Sequence, residues 1–427
     1  MTTHKHLKQF VRARMAKTGE RYATARRQVV SQAARATTGP AAAHLPGNVP
    51  GATALRILLT HAGAPACSEA LTFCLAGGIG AGVFAFVYEK EDFASLFLAG
   101  RHSWHDEKAY LTHAAERLGM SLVVKEAGGA GPAEKQLDAA LAEGRPVIAW
   151  VDAAHLPHRA MPGWTSGSAY HLVTIHAADA AHALIGDLAD DPVSLTRAEL
   201  LAARGRIKKD KFRLAWLTGA APAEAGLGKA FQAGLAQGAH ELATCKMKNF
   251  RLDAFQLLAE RMVATKGKES WAAAFPPGPR LWTALTSLYQ YIEHYGTGGG
   301  LCRPLFAEGL AEGAVRFQRP AYTAVAAHYA ELGTAWSALA EAALPDAVPA
   351  CHEAKALISR RSELILGGGN PDEVRACWDG LARLSAAART RFPLETPAVA
   401  RLLQELSTRL REIHAAEVVA LEALAAV

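Results

Sequence analysis

Between residues 52 and 88 the apolar positions form short runs that predict helices first and then a strand. Residues 52–61 form an apolar run that indicates a buried helix, ended by glycine and proline. Ser68 precedes a second short helix and is predicted to be its N-cap, with Glu69 in the first turn facing the positive end of the helix dipole. Residues 83–88 are rich in β-branched and aromatic side chains and predict a strand.

Helices and strands continue to alternate up to about residue 217. Helices are predicted at 104–118, 132–142 and 195–203, and strands at 121–125, 147–151, 171–175, 183–187 and 213–217. The turn at 178–180 predicts that the strands 171–175 and 183–187 form an antiparallel pair. From about residue 224 the strand signals nearly vanish and alanine-rich amphipathic segments dominate, which predicts a helical second domain.

The first 48 residues differ from the rest in charge. Helical spacing of apolar residues predicts two short helices before a linker at 37–50. Residues 1–40 carry nine basic side chains and one acidic one, so this leader is +8 while the whole chain is +6. A basic leader can bind nucleic acid or anionic lipid. Since no aromatic platform accompanies it, the sequence favours a solvated basic helix over nucleic-acid or membrane contact by residues 5–35.

Length and composition narrow the class of protein. A chain of 427 residues predicts two domains, and an apolar half with one fifth charged residues is typical of globular proteins. No apolar run reaches the roughly 18 residues of a membrane span, and the N-terminus has no secretory core. An organellar presequence and a mature helix both remain open for that N-terminus. The six cysteines are scattered without paired spacing, which predicts reduced thiols in a cytoplasmic protein.

His171 and Asp187 carry the clearest chemical signal. The histidine begins one predicted strand and the aspartate ends the next. A carboxylate on a neighbouring strand can fix the tautomer of an imidazole, so that the other ring nitrogen takes a proton as a general base. The alternative is a strand-edge histidine facing solvent and an aspartate that opens a turn, and the residues alone leave both open.

A nucleophile to accompany this pair is not evident. Cys67 lies just before the Ser68 cap, and Cys74 lies within the helix among apolar neighbours, so both are weak candidates. The polar cluster around His102 and His105, like the pair at 155 and 158, lacks a second group at metal-ligand spacing, and no metal is predicted.

The glycine-rich run 77–82 follows a helix and precedes a strand, the reverse of the dinucleotide-binding order, and it lacks a phosphate-loop lysine. We therefore expect no cofactor. The run is interpreted as close packing beside a cleft, lined by Gly77, Gly78, Gly80, Trp104 and Asp106.

Several of these segments together resemble a known family, that of the butirosin biosynthesis protein H N-terminal domain. In residues 49–218 the resemblance rests on 54–59, 68–71, 77–80 and the strands of His171 and Asp187. The helical remainder resembles the uncharacterised domain that commonly follows it, through 296–303 and Trp336. The resemblance implies an α+β fold: a papain-like, C39-peptidase-like N-terminal domain with a mainly antiparallel sheet at 49–220, then an all-α domain at 224–427.

The resemblance also implies a chemistry, with one departure. The named member of the family transfers an acyl group from an acyl carrier protein to an aminoglycoside amine through a cysteine thioester, and such members imply a role in specialised metabolism. They carry His-Cys just before the helix that matches 52–61, where this chain has Val49 and Pro50. Two hypotheses follow: an acyltransferase-like or amidohydrolase-like enzyme that acts on a small amine or peptide with His171 and Asp187, or a binding or scaffold protein that has lost the chemistry. Whether the chain forms homo-oligomers is open.

Overall fold

The computed structural model of the chain describes residues 44–427, which divide into two compact units. The first unit includes 44–47, 123–216 and 365–369, and the second includes 48–122, 217–364 and 370–427. The basic leader predicted at 1–48 lies almost entirely outside the described residues. Because the units cut the chain at different points from the predicted domain bounds at 49–220 and 224–427, those bounds stay a prediction.

The elements up to residue 218 mix helices with strands, in the following order. They are α1 Pro50–His61, α2 Glu69–Leu75, β1 Ile79–Tyr88, β2 Phe93–Arg101, α3 Glu107–Arg117, β3 Ser121–Lys125, α4 Ala130–Ala142, β4 Val147–Asp152, β5 Tyr170–Ala178, β6 His182–Gly186, β7 Val193–Thr196, α5 Arg197–Arg206 and β8 Leu214–Thr218. The strands β1 and β2 form an antiparallel two-stranded sheet of their own.

A six-stranded sheet dominates the first unit. Its strand order is β3-β8-β4-β5-β6-β7, and β4 pairs antiparallel with both β5 and β8, as β6 does with β5 and β7. Alternate residues of these strands, such as Val147, Ala149, Val173 and Ile185, face a core shared with α4 and α5. The mainly antiparallel sheet agrees with the predicted fold class, since period-2 alternation buries one face of each strand.

The second unit is completed by helices that follow β8. They are α6 Glu224–Thr244, α7 Asp253–Val263, α8 Trp271–Ala274, α9 Pro279–Glu293, α10 Arg303–Arg316, α11 Ala321–Ala343, α12 Pro349–Leu366, α13 Pro371–Thr390 and α14 Thr396–Ala425. The predicted helical C-terminal region is therefore confirmed. Among residues 44–427, no helix combines the length and apolar character that a membrane crossing requires.

The local predictions succeeded where a pattern was long or capped. Ser68 is the N-cap of α2, its hydroxyl accepting from the Leu71 amide at 2.9 Å, and β5 and β6 pair antiparallel across the predicted turn. The sequence pattern does not predict the strands β2 and β7. The first is a continuous apolar run that only its partner β1 identifies as a strand, and the second has four residues.

A buried ion pair organises the second unit. Arg303 at the start of α10 has no exposed side-chain surface and donates to the Glu417 carboxylate of α14 at 2.7 Å. Its other N–H groups donate to the carbonyls of Gly80, Gly100 and Leu301, which joins β1, β2 and the loop before α10. Four hydrogen bonds of this guanidinium therefore join α14, β1, β2 and the loop before α10.

We predict that Glu417→Gln destabilises the protein by about 3–5 kcal/mol, because it leaves the Arg303 charge buried without a counterion. The free energy of unfolding in urea measures the effect. Glu405→Gln is the matched control on the same helix, since it removes the exposed pair with Arg409 and is expected to cost under about 1 kcal/mol. Equal losses in the two variants would contradict the role of the buried pair.

Candidate functional site

The site lies in the first unit, where β5 begins and β6 ends. His171 is the second residue of β5 and pairs with Val151 of β4. Asp187 follows Gly186, the last residue of β6, which pairs with Thr174 of β5. The ring nitrogen Nε2 of His171 lies 2.6 Å from Asp187 Oδ1. The structure therefore brings together the two residues that the sequence singled out.

The Asp187 carboxylate has two further partners that the sequence did not predict. Arg159 donates to both oxygens, from Nε to Oδ2 at 2.7 Å and from Nη2 to Oδ1 at 2.6 Å. His158 Nε2 lies 2.6 Å from Oδ2. Each carboxylate oxygen thus meets one guanidinium N–H and one imidazole nitrogen. The Asp187 side chain has no exposed surface, so this ring of donors replaces water.

Both new partners come from the loop between β4 and β5, where Pro157–Arg159 forms a single 3₁₀ turn. The sequence shows them only as neighbouring His158 and Arg159 after a proline, with no periodicity to indicate the direction of either side chain. From the sequence, the histidines at 155 and 158 in this loop are interpreted only as weak metal ligands. A buried aspartate needs positive or donating neighbours, and that requirement is the signal that could have found them.

The charges fix the protonation of the pair. Burial by itself would raise the pKa of Asp187, but the Arg159 guanidinium, followed by His171 and His158, outweighs it and holds the pKa well below its usual range. Burial and the same guanidinium lower the pKa of His171, against the raising effect of Asp187. Because an ionised carboxylate can only accept, we assign to Nε2 of His171 the proton that faces Asp187; the same nitrogen also lies 2.9 Å from Arg159 Nη2. The neutral imidazole then has its lone pair on Nδ1, the atom that could accept a proton.

A second pair of histidines lies on the other side of Gly186. His176 on β5 is buried, at the β-bulge where the pairing with β6 shifts, and its ring packs edge-on to that of His44 with 5.5 Å between centroids. A Cβ at Gly186 would lie 2.7 Å from His176 Nε2 and 2.8 Å from His44 Nδ1. The absence of a side chain at Gly186 therefore makes room for both rings beside Asp187.

The start of α1, in the second unit, is where the nucleophile was expected. Val49 is the N-cap and Pro50 the first helical residue, so no thiol or hydroxyl stands at either position. The Glu69 carboxylate accepts from the backbone amides of Asn48 and Val49 and from the Thr53 hydroxyl. The amides at this helix terminus are thus engaged by a carboxylate of the chain itself.

The two cysteines proposed as weak nucleophiles have environments that disfavour a thiolate. Cys74 is fully buried, and burial, followed by Glu312, raises its pKa well above the ordinary value. Cys67 is half-buried, and burial raises its pKa despite the lowering effect of Arg316. Since the thiolate is the reactive form, these surroundings count against both residues.

The residues proposed to line a cleft have different surroundings within the second unit. Gly80 and Trp104 line a small cavity. Gly77 contacts the His102 ring, and Gly78 contacts the Phe306 ring, each so closely that a Cβ would overlap it. Asp106 is the N-cap of α3, where its carboxylate accepts from the Ala109 amide at 2.9 Å. Their role as cleft residues stays a prediction.

Metal ligands are not gathered anywhere in the part of the chain that the structure describes: residues 44–427 contain no group of three His, Cys, Asp or Glu side chains placed to hold an ion.

Two family models match the chain. Residues 50–188 match butirosin biosynthesis protein H, N-terminal, and residues 199–364 match a domain of unknown function (DUF4872). This is the succession of domains that the sequence predicted, and the first is a papain-like domain, which confirms the predicted fold class. No protein of curated function matches the chain.

We predict that His176 makes the protein sensitive to acid. Burial, followed by the neighbouring His44, lowers the pKa of His176 to about 3, whereas in the unfolded chain it is about 6.5. Between these values only the unfolded state binds the proton, so the stability conferred by the neutral ring is complete above pH 6.5 and falls as the pH decreases. His176→Gln should make the dependence of unfolding free energy on pH shallower by up to about 1.4 kcal/mol per pH unit.

Urea unfolding at several pH values between 4 and 7 measures this slope. His182→Gln, on the exposed part of the neighbouring strand, is the control and should keep the slope of the wild type. A His176→Gln slope equal to that of the wild type would show that the ring is protonated or solvated in the folded state.

Proposed function

We propose that this chain, whose residues 50–188 belong to the butirosin biosynthesis protein H N-terminal family, is an acyltransferase-like enzyme of biosynthesis that joins an acyl group to a small amine or peptide. The observation that carries the proposal is the contact of 2.6 Å between His171 Nε2 and Asp187 Oδ1. Burial and the Arg159 guanidinium lower the pKa of the imidazole, and the same guanidinium holds the pKa of the carboxyl well below its usual range. A histidine oriented in this way is suited to general base catalysis.

His171 would act on the acceptor directly. The amine nitrogen attacks the carbonyl carbon of an acyl thioester, Nδ1 of His171 takes the proton that the nitrogen loses, and the same proton passes to the leaving thiolate. The C–N bond forms, the C–S bond breaks, and no covalent enzyme intermediate is needed. Val49 and Pro50 at the start of α1 support this direct route, because they offer no nucleophile.

Arg159 and His158 would position the base. They hold the Asp187 carboxylate through three contacts of 2.6–2.7 Å, so the aspartate cannot rotate away from His171. The Arg159 charge also disfavours protonation of the imidazole, which keeps the base in its reactive form at neutral pH.

His171→Ala tests the proposal. With an N-acetylcysteamine acyl thioester and a primary amine, the wild type should release thiol faster than buffer, and the variant should lose about 10²–10⁴-fold of that rate, the usual contribution of a general base. The measurement is the amine-dependent part of thiol release, followed with a chromogenic disulfide at several amine concentrations. An acylated acyl carrier protein is the second donor to compare, since a carrier protein is the donor that we propose.

His155→Ala is the matched control. His155 is a half-buried histidine of the same loop that hydrogen-bonds Ser166 rather than Asp187, so its removal should leave the rate unchanged. If His171→Ala and wild type release thiol at the same rate with both donors, the enzymatic proposal is wrong.

A second candidate is a binding or scaffold protein that has kept the fold and lost the chemistry. It is favoured by the engagement of the α1 terminus by Glu69 in place of a nucleophile and by the raised pKa of Cys67 and Cys74. On this reading wild-type protein would not accelerate thioester aminolysis.

Iodoacetamide labelling at neutral pH, read by peptide mass spectrometry, separates the two candidates further. If the protein is a scaffold, Cys67 and Cys74 should be labelled no faster than Cys245, the half-buried cysteine after α6. Fast labelling at Cys67 or Cys74 would contradict it and restore a cysteine nucleophile.

We place the protein in the cytoplasm and in specialised metabolism as part of the same proposal. All six cysteines are free, which suits a reducing compartment. Size-exclusion chromatography with light scattering would decide whether it acts as a homo-oligomer.

A further inference from the structure

A second cluster of reactive groups lies in the other unit, in the turn that follows β2. We propose that Ser103 is the nucleophile of a second acyl-transfer site, with His102 as its base and Glu241 orienting the imidazole, and that this site takes small uncharged acyl esters or thioesters. The inference does not depend on His171 or on the proposed function.

The contacts of His102 indicate which of its two ring nitrogens carries the proton. The Ser103 hydroxyl lies 3.1 Å from His102 Nε2, and a carboxylate oxygen of Glu241 on α6 lies 3.4 Å from His102 Nδ1. A carboxylate favours a proton on the nitrogen that faces it. Nε2 is then the unprotonated nitrogen and accepts the Ser103 O–H, which is the arrangement that activates a serine.

The glycine-rich run before β1 makes room for this imidazole. His102 is 2 % exposed, and a Cβ at Gly77 would lie 2.3 Å from its Cδ2 atom. Gly77 has φ +117°, and a Cβ at Gly238 of α6 would lie 2.1 Å from the Gly77 carbonyl oxygen. The run and α6 therefore approach each other at a distance that only glycines allow, and the ring is held in one orientation.

Ser103 itself is strained and accessible. Its φ is +47°, in the left-handed region that side chains other than glycine rarely adopt. Such strain is concentrated at functional sites, where the surrounding structure maintains it. The residue is half-buried and lines a cavity of about 30 Å³.

The cavity selects the substrate class. Its apolar lining includes Ile79, Ala81 and Leu242 and the rings of Trp104 and Phe250, and the charged side chains of Arg101 and Glu241 line it as well. The volume exceeds the 10–15 Å³ that one water requires but is far below that of a drug-sized site. We therefore expect this site to favour a short acyl group, such as acetyl, over a long acyl chain.

The reaction would run in two balanced steps. The Ser103 oxygen attacks the acyl carbon, its proton moves to His102 Nε2, and the leaving alkoxide or thiolate takes that proton as the C–O or C–S bond breaks. Water then attacks the carbonyl carbon of the acyl-serine ester, and the proton that the water loses passes through Nε2 to the Ser103 oxygen as the C–O bond to Ser103 breaks and the acid leaves.

Burial, together with the charged groups around it, makes His102 a weak but persistently neutral base. Burial lowers its pKa to about 3, and the nearby groups that add to this effect are Arg117, Arg101, His113 and His105. Glu241 is the facing acid and does not reverse the shift. A weak base implies a slow nucleophile. It also implies that reactivity stays constant as the pH falls from 8 to 5, whereas an ordinary histidine would be protonated below about 6.5.

A fluorophosphonate probe on the full chain tests the inference. Ser103 oxygen displaces fluoride from phosphorus, and peptide mass spectrometry should find the adduct on Ser103. Ser103→Gly should abolish it, and this variant is expected to fold because glycine relieves the strain at φ +47°. Ser95→Ala, a half-buried serine on β2 that pairs with Phe86, should label as the wild type does. Absence of the Ser103 adduct after overnight incubation would overturn the inference.

Two further readouts test the base and the cavity. Glu241→Gln, which keeps the shape of the side chain but not its charge, should slow labelling at least tenfold, and the wild-type rate should vary by less than twofold between pH 8 and 5. 4-Nitrophenyl acetate should be hydrolysed at least tenfold faster than the hexanoate ester. Equal rates for Glu241→Gln and wild type, or for the two esters, would contradict the assigned roles.

His171→Ala separates this site from the proposed function. It should label at Ser103 at the wild-type rate even if it loses amine acylation, and Ser103→Gly should keep the amine acylation that depends on His171. Loss of Ser103 labelling in a folded His171→Ala protein would show that the serine is not an independent site.

Discussion

The Asp187 carboxylate, which has no exposed surface, constrains the elements around it in the first unit. Asp187 can remain ionised in the interior only if each of its oxygens is hydrogen-bonded, and Arg159, His158 and His171 satisfy that demand at 2.6–2.7 Å. The loop between β4 and β5 and the end of β6 must therefore keep fixed positions relative to one another. The orientation and the neutral state of His171 are consequences of the same charge balance.

In the second unit, two other carboxylates are also surrounded by hydrogen-bond donors. Glu417 meets Arg303 and the indole N–H of Trp336, all within the helical core, and Glu69 meets the amides at the start of α1. In each case one carboxylate joins segments that are distant in sequence. Such groups are costly to bury alone but specify one arrangement of the chain when their partners are complete. The fold is thus held by a few buried carboxylates and their donors in addition to its apolar cores.

The buried carboxylates and their partners limit which side chains could act as a nucleophile or a base. At the start of α1, Glu69 and Pro50 occupy a place where a helix terminus could have activated a thiol. The groups that we propose for catalysis are Nδ1 of His171 and the hydroxyl of Ser103, and each has a different charge environment. His171 owes its tautomer to an ionised aspartate, and His102 owes its neutrality first to burial.

The sequence by itself determined the local elements and the class of fold. Alternation of apolar residues identified most strands of the main sheet, Ser68 marked a helix start, and the change of pattern after residue 224 identified the helical region. It also singled out His171 and Asp187, because adjacent strands with a short turn bring such residues together.

Only the tertiary structure decided which side chains complete the sites. Arg159 comes from a loop without periodicity, Glu241 lies more than a hundred residues from His102, and β2 is recognisable only through its pairing with β1. The reason is physical: periodicity reports which face of an element is buried. The partner of a buried charge depends instead on where the chain returns in space.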